Sequence, residues 1–413
     1  MSFKYQALRN PRIFIMLFLG FSSGLPLALT ASTLQAWFTQ AGLSVIAIGT
    51  LSLIGLPYTL KFLWSPVLDR FVPPWLGRRR GWICLTQLGL CVTLFVLANM
   101  NPNEMPKAIG VLALFIAFIS ASQDVAIDAY RTDVLLPLER GVGSAVYIFS
   151  YRMAMLASGG LALVIADHLG WRLTYELMAV LLLLVNIATY FAPETTKNIK
   201  APSSFKAAII EPFRDLMQRD SLGLILLFVV FYKIGDAFAL SLMSNFLLRG
   251  LGFSLTDVGV AFKVFGLVAT VVGAFAGGFL MPRLGLYRAL LWFGLAQAFS
   301  NLMFMLLAAS GKSYLLLVSS IFIEQFASGM TAAVFMAFLM SLCHQEYSAT
   351  QYACLSALFS LGRVLIGPVA AVLVAQIGWV NFFGCSVLLS FPGIIILVLL
   401  RSKVNFNADA VKA

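Results

Sequence analysis

From Ile13 to Leu60 the chain carries no charged residue. A helix rises about 1.5 Å per residue and a bilayer core is about 30 Å thick, so this run holds two spans of roughly 20 residues each. Long apolar runs and short polar or charged breaks then alternate as far as Leu400. The runs predict twelve transmembrane helices, near residues 13–37, 44–64, 82–99, 108–131, 142–166, 174–191, 221–247, 258–280, 289–309, 313–338, 351–375 and 380–400. The fold class is therefore an all-α polytopic membrane protein. Strands of a membrane barrel would instead alternate polar and apolar side chains over about ten residues.

Composition agrees: 61% of the 413 residues are apolar and 11% charged, too few polar groups to coat a soluble surface. The net charge of +11 raises the question of nucleic acid, and its placement removes it. One set of connections holds 19 Lys and Arg, at positions 4, 9, 12, 70, 78–80, 131, 140, 197, 200, 206, 214, 219, 283, 288, 401, 403 and 412, and the opposite set only Lys107, Arg172, Arg249 and Lys312. Such asymmetry puts both termini in the cytoplasm. The five cysteines are scattered, with no metal or disulfide spacing, and read as packing residues. MSFKYQALRNPRIF has the basic start of a signal peptide. The apolar run behind it is too long and another span follows, so it reads as a retained first helix.

The connection from Ala192 to Asp220 is the longest, with three prolines, and divides the spans six and six. We read residues 1–191 as one six-helix bundle, 192–220 as a cytoplasmic linker and 221–413 as a second bundle. Within the linker, Phe205, Ile209, Phe213 and Leu216 recur opposite Lys206, Glu211, Arg214 and Asp215, which predicts a helix on the membrane surface. The halves echo each other. Ser65 and Gly278 differ by 213, Arg152 and Arg363 by 211, and Trp171 and Trp379 by 208. That pattern argues for parallel duplicated halves, the arrangement of major facilitator transporters. SPVLDRF with GRRRGW resembles the superfamily signature G-x-x-x-D-R-x-G-R-R, with Ser65 for glycine and five residues inserted before Gly77. The second copy, GGFLMPRLGLYRAL, has Pro282 in place of the aspartate. By this resemblance Asp69, Arg70, Arg78, Arg79, Arg80 and Arg283 form a conformational latch between helix ends. The alternative is that they anchor their loops in the cytoplasm.

Charges at mid-bilayer cost several kcal/mol unless paired or wet, so they mark pathways. Here they are Asp124, Asp128, Arg152, Lys233, Asp236, Lys263, Glu324 and Arg363. None lies in the interior of the first, third, sixth, ninth or twelfth span; in the major facilitator fold the third, sixth, ninth and twelfth face lipid. Arg152, Lys233, Glu324 and Arg363 lie on the order of 16–18 Å from a helix end, and Asp124 roughly 10 Å. Asp124, Asp128 and Arg131 share one helix face at i, i+4, i+7. A carboxylate in such a cavity, its proton affinity raised by burial and lowered by an approaching base, can carry a proton. Asp124 is the first choice, with Asp128 beside it and Glu324 in the other half; permanent pairing, of Asp124 with Arg152 for instance, is the alternative. Lys233 and Asp236, at i and i+3, are either functional or a structural pair. The cavity bases suit an anionic ligand, arginine by bidentate contact. Lys61, three residues from its span's end, reads as snorkelling.

Gly273 and Gly277 allow close helix contact, and Gly24-Leu25-Pro26 and Gly55-Leu56-Pro57 can bend the first two spans. His168 and His344 have no partners at metal or catalytic spacing. No nucleophile motif, phosphate loop or cofactor-binding pattern is present, and nothing suggests an enzyme.

KFLWSPVLDR with GRRRGW, SQDVAIDAYRTDVLLPLERG, FYKIGDAFA and ATQYACLSALFSLGRVLIGPVA together resemble the AmpG-type muropeptide permease family of Gram-negative inner membranes, from Phe14 to about Leu400. The resemblance implies proton symport of N-acetylglucosaminyl-1,6-anhydromuramyl peptides into the cytoplasm for peptidoglycan recycling, a process linked to β-lactamase induction. It supplies peptide carboxylates for Arg152, Lys233, Lys263 and Arg363, and sugar hydroxyls for Gln123, Gln35, Tyr147, Tyr151 and Tyr232. The partners are then a muropeptide, protons and the bilayer, with no nucleic acid, no cofactor and a monomer sufficient. The family sometimes carries two further spans, for which this chain has no room. Two alternatives stand: a permease for another bulky anion such as acetyl-coenzyme A, and a non-transporting membrane sensor.

Overall fold

The computed structural model describes residues 10–43, 51–194, 204–218 and 221–403. Among them every regular element is helical. The first is α1 (Pro11–Thr30), with Pro11 at its start and the Asn10 side chain accepting from the Arg12 amide. It breaks at Ala31 and continues as α2 (Ser32–Gln40). Residues 51–70 form short turns ending in α3 (Ser65–Arg70). Then come α4 (Arg78–Ala98), α5 (Pro106–Val134), α6 (Arg140–Leu156), α7 (Ala162–Leu169) and α8 (Trp171–Tyr190). A separate amphipathic helix, α9 (Phe205–Met217), lies where the linker helix is expected. The remainder comprises α10 (Leu222–Phe231), α11 (Ile234–Ser241), α12 (Leu255–Val260), α13 (Leu267–Leu284), α14 (Leu286–Ser310), α15 (Tyr314–Ser341) and α16 (Ser348–Leu400). Ten helices among the described residues are long and apolar enough to cross a membrane. The expected second span begins at residues 44–50, outside the described ones, and its described part is not one continuous helix. The expected eleventh lies inside α16, which departs from helical geometry at Gly378, φ 73°.

The side chains are arranged inside out relative to a soluble protein. Val92, Val111 and Leu388 are 63%, 69% and 67% exposed, whereas Gln87, Gln123, Asn301 and Glu324 are 0% exposed. Lipid satisfies the apolar face, and polar groups turn inward because hydrocarbon offers them no partner. Without a hydrophobic drive between helices, close backbone approach supplies the packing. A Cβ on Gly20 or Gly24 would collide with the Tyr147 or Tyr151 carbonyl oxygen of α6, and one on Gly273 or Gly277 with the Phe326 or Met330 carbonyl oxygen of α15. Gly24 is thus a packing residue, and the spacing of Gly273 and Gly277 marks a true helix contact.

By contact the chain forms two compact units: Met1–Leu135, Val146–Phe213 and Leu342–Cys354 in one; Leu136–Ala145, Arg214–Ser341 and Leu355–Ala413 in the other. Each contains the same aromatic trio. In the first, Trp37 lies 5.6 Å from Trp171 and 5.3 Å from Tyr175, ring centre to ring centre. In the second, Phe246 lies 5.0 Å from Trp379 and 4.8 Å from Phe383. The members correspond at offsets of 209, 208 and 208 residues. Trp171 and Trp379 each directly follow a glycine with the same positive φ, Gly170 at φ 83°, ψ 163° and Gly378 at φ 73°, ψ 171°. The duplication is therefore structural as well as textual.

Candidate functional site

In the first unit the polar end of α5 gathers a buried network. Asp124 accepts a short hydrogen bond from the Ser23 hydroxyl of α1. Ser23 in turn accepts from the Tyr147 hydroxyl of α6, at 2.8 Å. One turn on, Asp128 is bound by Arg131 Nη1 at 2.9 Å and Lys61 Nζ at 3.5 Å. The Arg131 guanidinium lies 4.0 Å from the centre of the Tyr147 ring, so cation and ring also attract. Two carboxylates thus face two bases, and the hydroxyl pair leads from Tyr147 to Asp124. Gln123 is wholly buried, and neither its amide oxygen nor its nitrogen finds a partner among the described residues.

The second unit has a different network. Lys233 Nζ lies 3.6 Å from Asp236 and 3.2 Å from the Ser328 hydroxyl of α15. Gln297 of α14 donates through Nε2 to Asp236 at 3.1 Å and to Glu324 of α15 at 3.4 Å. Its Oε1 lies 3.2 Å from the Thr331 hydroxyl. The nitrogen faces the carboxylates because only that end of the amide can donate.

A third network lies at the Arg78 end of α4. Arg79 donates to Asp133 and Asp69, each at 2.8 Å, and to the Ser348 hydroxyl at 2.8 Å. Asp69 also accepts from the Thr350 amide and hydroxyl at 2.8 and 2.6 Å. Arg78 donates to the carbonyls of Gln345 and Glu346, both at 2.8 Å. All these groups belong to the first unit, of which Leu342–Cys354 is part. The same segment holds α9: Tyr347 donates to Glu211 at 2.7 Å and Gln351 to the Pro212 carbonyl at 3.2 Å.

The Major Facilitator Superfamily profile matches residues 13–365. The anhydromuropeptide permease of Escherichia coli K12 is 48% identical over 97% of this chain and 82% of its own length. The chain belongs to the AmpG-type permease family of that superfamily. Putative transporter AmpG 4 of Rickettsia conorii is 34% identical over 96% of this chain and 98% of its own length. Among solved structures, the proton:xylose symporter XylE superimposes with a TM-score of 0.71 at 13% identity, over 97% of this chain and 96% of its own. The human organic anion transporter MFSD10 gives 0.69 at 19%, over 96% and 100%. These two likenesses concern the fold alone. The permease is a multi-pass inner-membrane transporter of a small molecule, and not an enzyme.

The other expected residues of this permease sit as follows. Arg152 is exposed, and Tyr151 packs its ring 6.2 Å from that of Tyr147. The Tyr232 hydroxyl is engaged by the Leu290 carbonyl at 2.8 Å. Gln35 is half-buried on α2. Arg80 binds the Ala192 carbonyl and Glu194, Arg70 lies beside Phe71, and Arg283 is exposed. The side chains of Lys263 and Arg363 lie outside the described residues. Sequence reasoning passed over Lys61, whose ammonium pairs with Asp128 instead of reaching for the interface. It also passed over Ser23, Asp133, Gln297 and Thr331, which carry no full charge in a span or sit at its end. Gln297 was visible in the sequence only as one of three polar residues, with Ser300 and Asn301, in an otherwise apolar run.

Proposed function

We propose that the chain imports N-acetylglucosaminyl-1,6-anhydromuramyl peptides from periplasm to cytoplasm, driven by protons. It would do so by alternating access of two six-helix halves, residues 1–191 and 221–413, around the linker 192–220. This reading has twelve spans, both termini in the cytoplasm and a monomer as the working unit. The observation that carries it is the sequence agreement with the anhydromuropeptide permease of Escherichia coli, 48% along nearly the whole chain. The buried charge network on α5 supplies the coupling chemistry. With Asp124 and Asp128 ionised, Lys61 and Arg131 are balanced; a proton on Asp124 leaves the network with one positive charge in excess. An anionic substrate is then drawn in by an uncompensated base in a low-dielectric setting. Release of the proton restores balance and expels the anion.

In this reading Asp124, Asp128 and Glu324 handle protons. Arg152, Lys233, Lys263 and Arg363 meet the substrate's carboxylates. Gln35, Gln123, Tyr147, Tyr151, Tyr232 and Asp236 meet its hydroxyls and amides; the unpartnered amide of Gln123 suits that task. Asp69, Arg70, Arg78, Arg79, Arg80 and Arg283 act as the latch.

The test is uptake of labelled anhydromuropeptide into proteoliposomes under an inward proton gradient. Accumulation that vanishes when the gradient is collapsed, and that Asp124→Asn abolishes, is expected. Uptake that ignores the gradient would sink the proton role. Absence of uptake by folded protein, or competition by acetyl-coenzyme A instead, would sink the substrate.

A further inference from the structure

Gln297 has a counterpart in the first unit. Gln87 on α4 lies 210 residues earlier and is equally buried. Its amide donates to the Ser22 hydroxyl at 3.1 Å and accepts from Asn186 at 3.2 Å. All its partners are neutral. At the duplicated position Gln297 instead faces two carboxylates, one of them paired with Lys233. The scaffold therefore does not require charge at this node: the first unit closes the same amide with a serine and an asparagine. Two buried acids are a costly replacement for such a pair unless they serve a purpose.

The acids also need a proton. Asp236 and Glu324 both accept from Gln297 Nε2, at 3.1 and 3.4 Å, which sets the two carboxyls side by side, and among the described residues Lys233 is the base beside Asp236. Glu324 is 0% exposed, and its second carboxyl oxygen has no N–H or O–H donor among the described residues. An ionised oxygen buried beside another carboxylate would be repelled and unsolvated. A proton between the two satisfies both. Among the described groups the charge count agrees: Lys233, Asp236 and Glu324 carry one excess negative charge when both acids are ionised, and none with one proton added.

We propose that Asp236 and Glu324 share one proton, and that Gln297 is the positioning residue of the pair. The occupancy of that proton would set whether the Lys233 ammonium is open to an anionic group of the substrate. This last step rests on the transport reading given above; the shared proton does not. Loaded, the cluster is neutral and Lys233 has a donor to spare beyond Asp236 and Ser328. Empty, the cluster is net negative and repels an arriving carboxylate. Proton binding thus precedes anion binding in the second unit, at a site separate from Asp124. Gln297 donates to both acids, which favours their ionised forms, so it tunes the proton affinity without touching substrate.

Infrared difference spectroscopy on the reconstituted full chain tests this. A carboxylic-acid carbonyl band is expected at neutral pH, lost in Glu324→Gln and retained in Asp124→Asn. Gln297→Leu should raise the midpoint at which the band titrates by about one pH unit, tenfold in proton affinity. Thr331→Val, which loosens the amide from its other end, should shift it the same way by less, and serves if the leucine variant does not fold. In uptake assays, apparent substrate affinity should weaken as pH rises through the midpoint in the parent and stay flat in Glu324→Gln. A band that survives Glu324→Gln in an Asp124→Asn background, or a titration unmoved by both Gln297→Leu and Thr331→Val, overturns the shared proton. Affinity that follows the same pH course in parent and Glu324→Gln overturns its link to Lys233. Muropeptide uptake absent from a parent that shows the band would defeat the transport reading alone.

Discussion

Arg79→Met should be the most damaging single substitution at the Arg78 end of α4. Arg79 is 2% exposed and makes three hydrogen bonds of 2.8 Å, two of them to carboxylates. Methionine fills much of the same volume, so the loss is electrostatic more than steric. The consequences for the two acids differ. Asp69 keeps the Thr350 amide and hydroxyl, two good donors. Asp133, whose Oδ1 has no partner among the described residues even with Arg79 in place, keeps Arg78 at 3.8 Å. One carboxylate is thus compensated and the other stranded in a buried position. Removing one partner of a buried ion pair costs about 3–5 kcal/mol, and the stranding of Asp133 places this case inside that range. The assay is denaturant or thermal unfolding in detergent, followed by tryptophan fluorescence. The decisive comparison adds Asp133→Asn to Arg79→Met. If stranded charge is the cause, the double variant recovers about 1–3 kcal/mol of the loss, the cost of an unsatisfied buried group. A single variant within about 0.5 kcal/mol of the parent, the scale of an ordinary surface change, would refute the reasoning. So would a double variant that loses the sum of both effects.

Gly273→Val forces a side chain against the Phe326 carbonyl, and should cost about 1–3 kcal/mol or more in detergent stability. Gly110→Ala, where a Cβ meets nothing, should be neutral or slightly stabilising by the same melting assay. Tyr347→Phe removes a hydrogen bond to a charged acceptor, worth about 1.5–3 kcal/mol. It should therefore raise proteolysis within α9 roughly tenfold or more, with unchanged cleavage as the contrary result. Asp257 and Ser254 exchange hydrogen bonds at the start of α12, and these hold the Asp257 carboxyl below the usual carboxylate range. A depressed value means the contribution is present above the ordinary carboxylate range and is lost as pH falls through the folded value. Asp257→Asn should therefore lower the melting midpoint at neutral pH, and the difference should close in acid.

Much of this was legible before any coordinates. A charge-free run of two membrane thicknesses leaves few choices of fold class. The offsets near 210 residues also mark real correspondences, because Trp171 and Trp379 each follow a glycine with the same unusual backbone. The intramembrane charges stand out because a full charge in an apolar run is rare. Their partners do not. Ser23 is one of several small polar residues in α1, and nothing local says that it, and not Ser22, reaches Asp124. Lys61 looked like an interfacial lysine because its distance from the run's end is short; its span is broken there, and the chain turns it toward Asp128. Pairings between distant helices depend on rotation about the helix axis, which apolar periodicity fixes poorly when lipid and core are equally greasy.

The two interchanged segments, Leu136–Ala145 in the second unit and Leu342–Cys354 in the first, have a practical consequence. Each unit is closed by a strap borrowed from elsewhere in the chain, at corresponding places in the duplication. A fragment ending at the linker would carry Asp69 and Arg79 without Ser348 and Thr350, and so would leave a charged seam open. With the gene split in the linker, neither product should mature alone. Co-production of both pieces should restore what separate production loses, each half acting as the other's assembly factor.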